Sequence, residues 1–433
     1  MPPGMRPRAS SGRPRVAVLY ASGSAGPREL QVAGEGLCEP VLVFDSSDPW
    51  TAPLVEMLAL FEPALDRAGL DLEATASALR RLGVAAVTTF SDACLRDTAV
   101  LARLLGLPFH SEATVALLSD KVAQRRALNA AGVGAPVPAA ELVSADRLPE
   151  LVAELGLPLV LKPACATGSR LAVRIDDEEQ ARTLTALTDA DGALAERFAV
   201  ERLVTGEHPA APWLGDYVSV ETSVGAGAVV PLCVSDRLGQ AWPLRETGFV
   251  VPTFLPDRWR AAVEAVADQA VRALGIDCGV CHVELKLTSP LPTVIEVNGR
   301  LGGGVHWLLQ PVSGFDAVRE ALRVALGERP SPAPACRGHA IDFFPHAPAA
   351  AERVTALPAP AELRAVPGVW SARPNRAVGD AVDWRVGDDH RLYDVFVEAQ
   401  DLAALRRSLD GLERIFAARA SFALRPEPVL EAT

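Results

Sequence analysis

The sequence predicts a protein of mixed α/β and α+β class with more than one domain, on three observations. Strand-like and helical segments alternate through about the first 115 residues, which implies a parallel sheet with helices on its faces. Leu157 to Ile175 reads as a strand, a small-residue loop and a second strand. The stretch from His282 to Arg300 alternates with period two on both sides of a Ser289-Pro290-Leu291-Pro292 turn, so it reads as a β-hairpin with two unlike faces. At 433 residues the chain is too long for one ordinary core.

Composition excludes several functions. Forty-nine per cent apolar and 22% charged residues mark a globular chain. A formal net charge of −12 argues against binding nucleic acid or an anionic membrane, and no apolar run reaches membrane-spanning length. Met1 to Pro14 is rich in Pro, Gly and Arg and has no apolar signal core, so a disordered lead-in to a cytoplasmic protein is expected. Seven cysteines, an odd number, fit reduced thiols. Cys278-Gly279-Val280-Cys281-His282 has the spacing of a haem attachment site, but the chain offers neither an export signal nor a second ligand pair for zinc. Small apolar cysteines at the start of a buried strand are expected instead.

In chain order, Arg15 to Tyr20 is a strand, and the turn Ala21 to Gly26 after it lacks the full G-x-G-x-x-G fingerprint. Val41 to Asp45 and Val84 to Thr89 are further strands, with helices near 52–68, 73–82 and 93–105. This first domain shows no acid, base or metal cluster. A helix follows from Ser119, its expected cap, to Gly132, its stop. Lys121 sits in its first turn, where the helix dipole disfavours a cation, a conflict that a ligand phosphate would relieve. Lys162 precedes a loop of Ala, Thr, Gly and Ser that includes Gly168 and Ser169, whose backbone amides can close over phosphate oxygens. Val200 to Gly206 is a short strand; Tyr217 to Thr222 and Val229 to Asp236 pair; residues 257–274 form an amphipathic helix. After the hairpin, residues 301–307 read as a glycine-rich loop that lets backbone approach a ligand, and a helix spans 315–327. Ser331 to Ala335 is a linker by composition. Residues 336–433 carry strands at Ala340 to Phe344 and Arg391 to Val397 and a helix near 402–417, with nothing that suggests chemistry.

The hairpin carries the strongest signal. One face is apolar, from Val283, Leu285, Leu287, Ile295 and Val297; the other holds His282, Glu284, Lys286, Thr288, Glu296, Asn298 and Arg300. A turn centred near Pro290 sets Glu284 opposite Glu296, where like charges are unfavourable unless a cation lies between them. Two carboxylates and an amide oxygen on a rigid face suit Mg2+. Lys121, Lys162 and Lys286 are the only lysines in a chain whose Lys and Arg total 42, so each is expected where a compact ammonium cannot be exchanged for a planar fork. Asparagine is as scarce, at Asn129, Asn298 and Asn375.

Taken in order, Lys121, Lys162 with its loop, Glu201, Glu284 and Glu296-x-Asn298-x-Arg300 resemble the ATP-grasp superfamily, and in particular carboxylate–amine ligases that include L-amino-acid (dipeptide) ligases. The resemblance implies an ATP-grasp fold in four parts. After a lead of residues 1–14 come a Rossmann-like domain over 15–115, an ATP-grasp domain over 116–330 with its lid at about 120–200 and its core at about 201–330, and a small C-terminal α+β domain over 331–433. ATP is expected between two antiparallel sheets, with Lys121, Lys162, Gly168 and Ser169 at its phosphates. Glu201 and the backbone of Arg202 and Leu203 are expected at adenine, and Asp216 is the nearest candidate acid for the ribose. Mg2+, with Mn2+ as a substitute, is expected on Glu284, Glu296 and Asn298, and Arg300 at the acyl phosphate or a substrate carboxylate. Lys286 and His282 are the other expected catalytic residues, and Glu246, Gly303 and His306 are expected at the substrate.

Relatives often read E-x-G-H-x-x-P, whereas Glu246 to Pro252 here has Phe249 in place of the histidine, so His282 or His306 would take over its work or the substrate would differ. The implied activity joins a small carboxylate to an amine at the cost of ATP. Its partners are those two small molecules, with a homodimer as the assembly and no nucleic acid or membrane. Two alternatives are a bicarbonate-activating carboxylase, which needs a biotinylated lysine although no Lys follows Lys286, and a non-catalytic nucleotide-binding protein.

Overall fold

A computed structural model describes residues 12–166, 168–191 and 197–425. Residues 1–11 of the expected lead and Thr167 of the small-residue loop lie outside the described residues.

The N-terminal region holds a four-stranded parallel sheet in the order Ala64–Asp66, Glu39–Phe44, Arg15–Leu19, Val84–Thr89. Val16, Ala17, Val41 and Val87 are fully buried, as strands covered by helices on both faces require. Helices Leu72–Leu82 and Leu95–Leu105 match the periodicity, and Asp71 caps the first of them by accepting from the Ala74 amide. The helix expected near 52–68 is absent. Val55–Leu58 makes one turn and the chain then enters the strand Ala64–Asp66, because Pro63 steers the residue before it away from helical backbone.

Helix Lys121–Ala130 is capped by Asp120, whose carboxylate accepts from the amides of Val122 and Ala123. Ser119, the expected cap, instead closes the preceding helix Glu112–Leu118. Next comes a four-stranded antiparallel sheet in the order Ala139–Leu142, Phe198–Arg202, Leu159–Pro163, Val173–Ile175. Leu142, Leu159, Ile175 and Val200 form its core with Leu148 and Leu151 of helix Leu148–Leu155.

The largest element is an eight-stranded antiparallel sheet in the order Thr293–Asn298, Gly279–Lys286, Leu214–Gly225, Ala228–Leu238, Gly248–Val251, His339–Phe343, Tyr393–Ala399, Val369–Pro374. Helix Asp257–Ala273 packs Val263, Val266 and Val271 against Val283, Leu285 and Val297 of this sheet. The last three strands come from the region expected to form a separate C-terminal domain, so the sheet runs straight across that boundary. Helix Leu402–Arg419 buries Leu405, Leu409 and Leu412 against the same strands. The loop expected over 301–307 ends early: a helix begins within it and runs from Val305 to Ser313 over the strands Gly248–Val251 and His339–Phe343.

Candidate active site

The hairpin strands Gly279–Lys286 and Thr293–Asn298 place Glu284 directly opposite Glu296 and His282 opposite Asn298. The register then slips between Glu284 and Leu285, which next pairs with Val294. Ile295 is the extra residue of this bulge. Consequently Val294 joins Val283, Leu285 and Val297 in the core, and Ile295, expected on the apolar face, lines a cavity instead. That cavity, of about 500 Å³, is walled by the hairpin, the four-stranded antiparallel sheet, the N-terminal region and the C-terminal strands.

Cations and carboxylates interlock along it. The Lys121 ammonium donates to Glu296 Oε1 at 2.8 Å and to the Ala166 carbonyl. Burial would lower the Lys121 pKa, but Glu296 outweighs it and the net shift is upward. Lys162 Nζ lies 2.9 Å from Glu201 Oε2, and Arg125 Nε lies 3.0 Å from Glu201 Oε1. Burial pushes the Glu201 carboxyl up, yet these two cations hold it at about 2. Arg125 also donates to the carbonyls of Val294 at 2.7 Å and Ile295 at 2.8 Å, tying its helix and the hairpin to the strand that carries Glu201. The amides of Arg202 and Leu203, expected at adenine, donate to the carbonyls of Pro138 and Pro158, both at 2.9 Å. Asp216, expected at a ribose, is not part of the cavity wall. It pairs with Lys286 and accepts from the Gly206 amide at 2.9 Å, holding Lys286 beside the Tyr217 ring.

His282 lies between two carboxylates, with Nδ1 against Glu221 and Nε2 3.2 Å from Glu284 Oε1. Burial would lower its pKa, but the Glu221 charge and bond reverse this and raise it to about 9. Burial likewise pushes Glu284 up, while His282, Arg237 and Arg300 bring it down to about 2. The upward shift favours the protonated imidazole between Glu221 and Glu284, and Arg237 Nη2 also lies 3.2 Å from the same Nε2. Arg300 donates twice to Asp92 Oδ2, at 2.9 and 2.7 Å. His306 bonds Glu29 at 3.1 Å behind the cavity wall, and Glu29 and Trp307, not His306, face the space. Gly303, Gly168, Ser169 and Glu246 line the cavity. Glu246 accepts from the Tyr217 hydroxyl at 2.9 Å and pairs with Arg237 at 3.4 Å. Phe249, at the position where a histidine was expected, lies under Arg237, whose guanidinium carbon is 5.2 Å from the ring centroid.

Sequence reasoning missed Glu29, Asp92, Arg125, Arg237, Asp342, Asp388 and Arg391, all in or against this cavity. Two of them had a readable signal. Arg237 continues the period-two face of a strand read two residues too short at its end, and Asp342 is the lone charge in an otherwise apolar strand core. Both the N-terminal and C-terminal regions, read as free of chemistry, contribute walls.

Glu284, Glu296 and Asn298 offer oxygen donors on one rigid face, and an ammonium already rests on Glu296. The set fits a hard divalent cation. Among the described residues no group of three or more His, Cys, Asp or Glu side chains is gathered for a metal. Mg2+ typically uses one or two carboxylates and completes its shell with water and phosphate oxygens.

Residues 120–331 match the family described as carbamoyl-phosphate synthase L chain, ATP binding domain. The chain is 30% identical over 237 residues to a D-alanine–D-alanine ligase of Desulforudis audaxviator, covering 51% of this chain and 70% of that protein. It is 30% identical over 280 residues to carnosine synthase 1 of Homo sapiens, covering 58% of this chain and 32% of that one. The solved L-amino acid ligase from Bacillus licheniformis superposes with a TM-score of 0.69 at 20% identity, covering 96% of this chain and all of that one, and so shares the fold. The chain belongs to the ATP-grasp superfamily, in the branch of carboxylate–amine ligases. It spans about half or less of several curated relatives, 53% of one and 32% of another.

Proposed function

We propose that this chain is an ATP-dependent ligase that activates a small carboxylate, an amino acid, as an acyl phosphate and couples it to an amine, releasing ADP and phosphate. The observation that carries the reading is Glu284 facing Glu296 on a cavity wall that also receives Lys121, Lys162 and Arg300. A carboxylate is a poor electrophile, so its oxygen must first attack the γ-phosphate. Lys121 and Lys162 stand where the phosphates would bear negative charge, and each leaves its carboxylate partner to meet them. Glu284, Glu296 and Asn298 would hold Mg2+, which when bound supplies charge neutralisation on the transferred phosphoryl group. Asp92 aims Arg300 at the cavity, where it stabilises the oxyanion formed as the amine attacks the acyl carbon. The name of the D-alanine–D-alanine ligase relative supports an amino-acid substrate.

The test is phosphate release from ATP and Mg2+ with pools of amino acids. Release that requires both a carboxylate and an amine is expected; release driven by bicarbonate alone, or none with any pool, overturns the reading. In the same assay Glu296→Gln should lose at least ~100-fold in kcat while keeping its melting temperature, since even outer-shell changes at metal sites cost about 10–100-fold. Near-normal turnover at low Mg2+ would count against the metal assignment.

A further inference from the structure

Asp342 is a second feature of the cavity that phosphoryl transfer does not use. It lies on the strand His339–Phe343, is 2% exposed, and lines the cavity. Its neighbours across the ladder are two phenylalanines, Phe249 and Phe396. Oδ1 has no hydrogen-bond partner among the described residues. A buried carboxyl oxygen without a partner is costly, and a fold keeps one where something else supplies the donors.

The surroundings indicate what that is. Burial, reinforced by Asp394, pushes the Asp342 pKa well up, and the nearby Arg391 and Arg373 do not offset it. Arg391 is committed to Asp394, and Arg373 lies over the rings of Trp307 and Phe396 at 5.8 and 5.2 Å. Space above the acid is kept open by Gly304, where an added Cβ would come within 3.0 Å of Phe249 Cζ and 3.7 Å of Asp342 Oδ2. Phe249, Phe344 and Trp307 line the cavity there, and the guanidiniums of Arg237, Arg391 and Arg373 lie over these rings, so the aromatic faces are taken and Asp342 is the group left without a partner. Along the sheet Asp342 is four strands away from Glu284, and so away from the carboxylates proposed to meet the phosphates.

We infer that Asp342 is a specificity-determining residue that selects an amino-acid substrate whose side chain ends in a cationic donor, an ammonium or a guanidinium. The inference rests on the ligase reading and adds to it the class of side chain. The experiment titrates the full-length protein, with MgADP present, with L-lysine, L-arginine and their neutral near-isosteres L-norleucine and L-citrulline. The same four compounds are compared as substrates by phosphate release. The basic members are expected to bind at least about ten-fold more tightly than the neutral ones, and Asp342→Asn is expected to bring that ratio near one. No basic preference in the natural protein, or an unchanged ratio in Asp342→Asn, would each overturn the assignment. A basic preference lost in Asp342→Asn, without phosphate release from any pair, would instead overturn the ligase reading and leave Asp342 as the selecting acid.

Discussion

Lys162 is buried against Glu201, which it shares with Arg125, so the pocket around it is already filled by one guanidinium. A second planar fork has no room to repeat the point contact of an ammonium. Lys162→Arg should therefore weaken ATP binding about ten-fold, or ~1.4 kcal/mol, despite keeping the charge. Fluorescence titration with a nucleotide analogue measures this, and an unchanged affinity would show that the scarcity of lysine has no functional meaning. His282 and Glu284 bound a pH window by the same residue-level logic. The folded His282 pKa, about 9, lies above its ordinary value of about 6.5, so its contribution to stability is complete below about 6.5 and is lost as pH rises through 9. Glu284, held at about 2, contributes fully above about 4.3 and loses its share as pH falls through 2. Thermal melts should show stability falling between about pH 6.5 and 9, and Glu221→Gln should flatten that limb. A limb of the same slope in Glu221→Gln would place the titration elsewhere.

At the scale of elements, the hairpin and the loop after it act as one unit. Gly302 donates its amide to Glu221 at 2.9 Å, and a Cβ at this position would lie 2.5 Å from His282 Nδ1 and 2.7 Å from Glu221 Oε1. Gly302→Ala must displace the pair that fixes Glu284. Its kcat should fall by about 10–100-fold, as for other supporting partners of a metal site, with a smaller change in KM for ATP. Steady-state kinetics at saturating Mg2+ decides it; a fall confined to KM would show that the loop acts on nucleotide binding alone. This unit also shows what the sequence made legible. Alternation of Val283, Leu285 and Val297 with Glu284, Glu296 and Asn298 reports a backbone period of two, so the pairing of Glu284 with Glu296 was readable. The bulge at Ile295 was not, because a register slip leaves no local pattern. The helix Val305–Ser313 was hidden by the glycines before it and by Pro311 within it. Arg125 and Asp92 were invisible for another reason: each acts on a residue about 170 to 210 positions away, a relation that only the tertiary fold creates.

For the whole molecule, the eight-stranded sheet joins the hairpin at one edge to C-terminal strands at the other, and the C-terminal region also reaches back over the lid. The segment Trp384–His390 lies on the small-residue loop: Asp388 donates its amide to the Gly168 carbonyl at 3.0 Å, and the Leu171 amide donates to the Arg385 carbonyl at 3.0 Å. Asp388 also accepts from the Glu246 amide at 3.2 Å, so one short segment touches both the loop expected at the phosphates and the wall expected at the substrate. Such a bridge couples the two ends of the cavity only while it stays in contact, and Gly387 sets how close it lies. Its φ of 78° is in the range that favours glycine, and an added Cβ would run into the Gly168 carbonyl. Gly387→Ala therefore faces backbone strain of roughly 1–3 kcal/mol, which the bridge relieves by lifting off the loop. Amide hydrogen exchange should show Leu171 losing protection while the strand amides of Val283 and Val297 keep theirs, and KM for ATP should rise several-fold. Unaltered protection at Leu171 together with an unaltered KM would mean that the loop is held by the lid alone and that the C-terminal region plays no part in nucleotide binding.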